Sequence, residues 1–328
     1  MNNQRGFTLV EIFISLAVGL ALFAGVLSVF VGIKTTTTET ATYGELQENG
    51  RFALSVLSDD LLKQDFWGDY TGTFDFSMLT SVPGVPDTEC NGAGLNNGTF
   101  PIAIGHFRTL WGDRIAAINP DPGAVQDGGD MDCIVDAKAS SDIIQLKRAI
   151  SQPLTATTAN NYYIIANLSE AEIFTGTTPP ELDNSQIWEY QHHIYYVKDE
   201  QQGTNTVPVL MQGRLTTKMT FDPIIDGIEV VRFMYGVDTD APGTAGYGIA
   251  DTFLSADNMT NTQWDNGSNN RILAVRIFVL ARSILPDNKY TNTNTYSFGD
   301  TTLTYNDNYR RLLFSSTVTL YNAGVDSW

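Results

Sequence analysis

From Ile12 to Ile33 the chain runs through apolar and small residues without a single charge, as long as the roughly 20 residues that cross a bilayer as a helix. The pattern then changes. Thr35-Thr36-Thr37-Thr38 is a β-branched run with poor helix propensity, and residues 45–64 next place Leu46, Ala53, Leu57 and Leu61 at helical spacing. An apolar stripe of that kind needs a surface to cover, so residues 7–34 are expected to form a membrane helix and residues 35–65 its amphipathic continuation, lying against a head. Beyond Phe66-Trp67-Gly68 the helical period fades, and the stretch to Asp136, rich in Gly, Pro, Asn and Asp, predicts long loops with two strands. Strand signals then sharpen at 142–149, 162–166, 193–197, 207–211, 228–237, 272–281 and 312–320. Several alternate apolar with polar residues, as in Phe314-Ser315-Ser316-Thr317-Val318-Thr319-Leu320. The expected fold class is α+β: a long N-terminal helix, half in membrane and half amphipathic, packed on an antiparallel β-sheet head with long loops over residues 66–328. No internal repeat and no linker calls for a further domain.

Composition supports that picture and narrows the partners. The chain has 328 residues, 14 Tyr and 17 Phe, which suits a β-rich head with a real core. A net charge of −18 repels phosphate backbones and anionic lipid, so nucleic acid is not an expected partner. The 2 cysteines, Cys90 and Cys133, lack a Cys-x-x-Cys spacing. In an oxidising envelope compartment they are expected to pair with each other.

The N-terminus is unusual. Met1 to Gly6 carries one positive charge, Arg5, ahead of the apolar run, whereas a secretory signal places its small-residue cleavage site after that run. Cutting after Gly6 would leave the hydrophobic helix on the mature chain, with Phe7 as its new amino terminus. Glu11 stands at the edge of the apolar helix, where a carboxylate costs roughly 2.5 kcal/mol or more and is normally retained for a partner. A free amine on Phe7, of the same or a neighbouring chain, would neutralise it, which makes Glu11 a candidate for aligning subunits. Ala17, Ala21, Gly25, Ser28 and Gly32 recur every three or four residues on one helix face, and small residues let helices approach closely.

Gly6-Phe7-Thr8-Leu9-Val10-Glu11 and the helix behind it resemble the class III signal of type IV pilins and type II secretion pseudopilins. The segments Gln47-Glu48-Asn49-Gly50-Arg51-Phe52-Ala53-Leu54, Tyr195-Tyr196-Val197, Gly227-Ile228-Glu229, Tyr235-Gly236-Val237-Asp238, Ala274-Val275-Arg276-Ile277, Ala281-Arg282-Ser283, Tyr309-Arg310-Arg311 and Thr317-Val318 extend the resemblance to the minor pilin PilW family. One departure stands out: the family often has a cysteine where this chain has Asp69. The resemblance implies a non-enzymatic subunit, cut by a prepilin peptidase between Gly6 and Phe7 and N-methylated at Phe7. It further implies a subunit inserted once in a bacterial inner membrane with its head in the periplasm, and later carried into a pilus. Implied partners are other minor pilins, the major pilin and the inner-membrane assembly platform, with a tip adhesin as a further candidate; the implied role is to prime assembly at or near the pilus tip. Two alternatives stay open: a J-type pseudopilin of type II secretion, and a ligand-binding or enzymatic head on an uncut signal anchor.

Catalytic patterns are missing from the sequence. There is no His-Glu-x-x-His, Gly-x-Ser-x-Gly or Gly-x-x-x-x-Gly-Lys. His106, His192 and His193 are the 3 histidines; the adjacent pair should point to opposite faces of a strand and is expected to consist of ordinary surface or edge residues. Asp59-Asp60 on the amphipathic helix is expected to be solvated or to touch a neighbour, because adjacent helix positions do not face each other. Asp238-Thr239-Asp240-Ala241-Pro242-Gly243 begins like a calcium loop, but Pro242 and Ile249 replace later ligands and leave Asp251 as the remaining carboxylate. A polar turn is the expectation, with Asp238, Asp240 and Asp251 holding Ca²⁺ at best at about 10⁻⁴ to 10⁻³ M, and no cofactor.

Overall fold

The computed structural model describes residues 7–72, 83–84, 86, 88–115, 131, 133–150 and 152–322. One helix, α1, runs from Leu9 to Leu62, through the threonine run that propensity disfavours. The hydroxyls of Thr36, Thr37, Thr38 and Thr42 donate to the carbonyls of Gly32, Ile33, Lys34 and Thr38 at 2.9–3.1 Å. This back-bonding to the preceding turn lets the side chains share acceptors with the helical ladder instead of competing for them in another conformation. The chain divides into two compact units, Met1–Glu45 and Leu46–Trp328.

The second unit begins with the last turns of α1 and continues with β1 (Leu110–Arg114), β2 (Asp142–Ala149), β3 (Tyr162–Ala166), β4 (Ala171–Thr175), β5 (Gln186–Gln202), β6 (Asn205–Leu215), β7 (Met219–Asp226) and β8 (Ile228–Asp238). After β9 (Thr252–Ser255) come a one-turn 3₁₀ helix (Ala256–Asn258) and the short helix α2 (Asn261–Trp264), then β10 (Arg271–Arg282), β11 (Thr295–Phe298), β12 (Thr301–Thr304) and β13 (Arg311–Thr319). A seven-stranded sheet follows the order β1-β2-β5-β3-β4, with β6 paired to β5 and β7 to β6; a four-stranded sheet has the order β13-β10-β8-β9, and β11-β12 is a hairpin. Every pairing is antiparallel. The seven strands read from the sequence are present, two with the expected bounds, four longer, and β13 of the expected length but shifted by one residue. Among the described residues between Phe66 and Asp136, one strand forms, β1, rather than two.

Leu46, Ala53, Leu57 and Leu61 are all buried, and they share a core with Ile194, Val231, Phe233 and Ile277 of the sheets. Burying each large apolar side chain contributes about 1.5–3 kcal/mol, which is what holds this part of α1 in place. Gly50 sets the closeness of that packing, because a Cβ there would stand 2.2 Å from the Phe314 ring of β13. The two large sheets are joined by buried charge: Arg232 of β8 donates to Asp142 of β2 at 3.0 Å, and the Phe233 amide donates to the same carboxylate at 2.8 Å.

Candidate functional site

In the N-terminal unit the helix start is closed by its own sequence. The Thr8 amide and hydroxyl each donate to Glu11 Oε2 at 2.9 Å, and the Glu11 amide donates to Thr8 Oγ1 at 3.3 Å. This is a capping box, in which residues three apart satisfy each other's orphan donors. Thr8-Leu9-Val10-Glu11 carries the signal for it, which an amine-centred reading of Glu11 overlooks. Glu11 therefore already has a partner within its own chain, and both recorded side-chain contacts fall on one carboxylate oxygen. Phe7 is 85% exposed, and the large apolar side chains that follow it to Ile33 are exposed as well. Gly6, the other side of the expected cut, lies outside the described residues. A Cβ at Gly25 or Gly32 would meet nothing within 4 Å, so the small size of these residues relieves no crowding within the chain. With Ala17, Ala21 and Ser28 they leave a shallow strip on an apolar helix that is long enough to cross a membrane.

In the head, two expectations about polar residues are overturned. Asp59 is exposed and paired with Lys63, but Asp60 is only 4% exposed. It accepts from Arg148 Nε at 2.7 Å, from Tyr195 at 2.8 Å, and lies 2.6 Å from His193 Nδ1. Burial would raise the Asp60 carboxyl, yet His193 and Arg148, with the Tyr195 hydroxyl, outweigh it and hold the group well below the usual carboxylate range. The helical pattern contained the clue, since Asp60 is three residues after Leu57 and seven after Ala53, on the buried stripe.

His192 and His193 are likewise buried rather than at a surface or edge. The reason is topological: residues 193–195 of β5 are paired with β2 on one side and β6 on the other. They do point to opposite faces. His193 meets Asp60 of α1, whereas His192 lies 3.3 Å from Thr99 Oγ1 and 3.1 Å from Gln145 Oε1. Burial pushes the His192 imidazole well below its ordinary value. His106 is held at about 4, first by burial and then by Arg108, against the pull of Asp265.

Cys90 and Cys133 form a disulfide. Asp238, Asp240 and Asp251 bring one carboxylate oxygen each to within 4.8 Å of one another. The carboxylates of Asp238 and Asp251 are already engaged. Asp238 accepts from the amides of Asp240 at 2.9 Å and Gly248 at 2.8 Å and is paired with Arg271, while Asp251 accepts from the Thr239 amide and hydroxyl at 2.8 Å. Against burial, those amides and Arg271 hold the Asp238 carboxyl below its ordinary value. The Arg271 guanidinium, 3.6 Å from the Tyr247 ring centroid, supplies a positive charge next to the position a cation would take.

Comparison with known proteins meets this geometry at both ends. The family described as Type IV Pilus-assembly protein W (PilW) matches residues 194–322, from the middle of β5 to just past β13. The prokaryotic N-terminal methylation motif matches residues 1–27. No curated protein and no solved structure matches the chain. A methylation-motif N-terminus ahead of a PilW region on one polypeptide makes the chain similar to a type IV pilus-related pilin of PilW type.

Proposed function

We propose that this chain is a non-enzymatic minor pilin that primes type IV pilus assembly and sits at or near the pilus tip. The observation that carries the reading is the helix start: an exposed apolar helix, capped by Thr8 and Glu11, on the same chain as a PilW region. In this reading a prepilin peptidase cuts between Gly6 and Phe7, and Phe7 is then N-methylated. Arg5 stays cytoplasmic until the cut, and the head lies in the periplasm. The exposed strip packs against other minor pilins and the major pilin, and the inner-membrane platform lifts the subunit into the fibre, where a tip adhesin is a further candidate partner. A new amine on Phe7 of a neighbouring subunit would find the Glu11 carboxylate within the apolar bundle, where an ion pair avoids the cost of an isolated charge. No cofactor is required, and Asp238, Asp240 and Asp251 act as a turn rather than as a tight calcium site.

Mass spectrometry of the mature chain tests the processing step. A methylated Phe7 terminus is expected, Gly6→Leu should block the cut while leaving membrane insertion intact, and Met1 retained in a piliated cell would refute the reading. Labelled heads confined to fibre ends are the expected pattern for a tip subunit, against labels along the shaft. Co-purified neighbours separate this reading from a J-type pseudopilin, which would bring down secretion subunits instead.

A further inference from the structure

On the face of β2 opposite to Arg148, the Lys147 amine is completely buried. It donates to the Arg108 carbonyl at 2.7 Å and lies 3.4 Å from Asn97 Oδ1, with the Phe107 ring centroid 4.7 Å away. Two hydrogens suffice for these two oxygen contacts, so a neutral amine can make both. Burial, and then the charge of Arg108, does push the Lys147 ammonium well below its ordinary value, opposed by Glu89. An uncharged, desolvated lysine is a nucleophile.

The carboxamide beside it is buried too, and fixed at both ends. Asn97 Nδ2 donates to the Ala93 carbonyl at 2.8 Å, and Asn97 Oδ1 accepts from Gln145 Nε2. Gln145 is oriented in turn by His192, whose Nε2 lies 3.1 Å from Gln145 Oε1, and His192 Nδ1 faces Thr99 Oγ1. The chain of contacts puts a donor on the oxygen where negative charge would develop if a nucleophile added to the Asn97 carbonyl. Space is reserved for this amide, because a Cβ on Gly92 would stand 2.3 Å from Asn97 Nδ2. The amine nitrogen and the amide oxygen are in contact at 3.4 Å, so a rotation at the lysine tip is the motion that would aim its lone pair at the carbonyl carbon.

We propose that Lys147 and Asn97 become joined by an isopeptide bond. The Nζ lone pair adds to Asn97 Cγ, the Cγ–Nδ2 bond breaks, and one Nζ proton passes to the departing Nδ2, so that one ammonia leaves and no oxidant or second reactant is consumed. The product ties the loop carrying Asn97 to β2, close in sequence to the Cys90–Cys133 disulfide.

The test uses the full chain extracted from membranes, reduced and alkylated so that the disulfide joins nothing, and then digested with trypsin. The expected product is one branched peptide in which the segment 64–108 is linked to 139–148, uncut after Lys147 and lighter by one ammonia than the sum of its parts. Lys147→Met should abolish the branch and restore the missing ammonia. Recovery of the two segments as separate, unshifted peptides from the natural chain would overturn the proposal, and this readout needs no variant to fold. Loss of ammonia that persists in Lys147→Met would also overturn it, since it would then belong to an imide formed at Asn97-Gly98.

Discussion

Removing the Asp60 carboxylate should be one of the most damaging single changes available in this head. The group is 4% exposed, and Arg148, which donates to it, has a side chain only 10% exposed. Asp60→Ala leaves a buried guanidinium without its anion and deprives Tyr195 of its acceptor. Breaking a buried pair from one side costs about 3–5 kcal/mol. At about 2–4 °C per kcal/mol for a large domain, the melting temperature should fall by roughly 6–20 °C. Asp59→Ala is the control, since its partner Lys63 is exposed and such pairs contribute about 0.3–0.5 kcal/mol. Thermal unfolding by near-ultraviolet circular dichroism compares the two. The pH dependence follows from the depressed Asp60 carboxyl: its stabilisation is complete above the unfolded value near 3.9 and is lost as pH falls through the lower folded value. The gap between the natural chain and Asp60→Ala should accordingly shrink as pH falls below about 4. Equal melting temperatures for the Asp59 and Asp60 variants would refute the account of this network.

Glu11→Ala should leave the melting of the head unchanged, because the capping box lies in the other compact unit, while lowering recovery of the chain in sheared fibres. Unaltered recovery would reduce Glu11 to a helix cap worth about 1 kcal/mol. The Cys90–Cys133 bridge closes a separation of 43 residues, so the double change to alanine should cost up to about 4 kcal/mol, read as a lower denaturant midpoint; titratable thiols in periplasmic protein would contradict the bridge itself. Calcium at millimolar concentration should raise the melting temperature by little, since Arg271 already pairs with Asp238; a large rise abolished by Asp238→Ala would show a metal site.

How far the sequence could be read depended on the range of the signals. The helix stripe Leu46, Ala53, Leu57 and Leu61 and the alternation in β10 and β13 are local periodicities; the stripe is buried, as are Val275, Ile277 and Val279 of β10 and Val318 of β13, while Phe314 is half-buried. β7 escaped notice because Pro223 interrupts it. It can hold a proline because it is an edge strand paired only with β6, where Pro223 faces Met211 beside a bulge. β5 reaches back past His193 to Gln186 through a mixed segment in which Ile187, Trp188 and Tyr190 stand among polar residues, and its extent is fixed by pairing with β2 and β3. The capping box was fully local and still hidden, because Glu11 invites an explanation by an external charge before one by Thr8.

The buried charges are the long-range case, and β2 shows why. Asp142-Ile143-Ile144-Gln145-Leu146-Lys147-Arg148-Ala149 reads as a strand with a wet face, yet all eight positions are buried. One face is covered by the end of α1, which meets Arg148 through Asp60, and the other by residues 96–109, which meet Gln145 and Lys147 through Asn97 and Arg108. Strand periodicity assigns Lys147 and Arg148 to opposite faces correctly but carries no information on what covers a face. Arg148 finds a carboxylate 88 residues away and stays an ion, whereas Lys147 meets a carbonyl and a carboxamide with the opposing charge of Glu89 the weaker influence. The same strand thus presents one cation paired with a carboxylate and one that burial drives toward its neutral form, and the second is the one on which the proposed isopeptide bond rests.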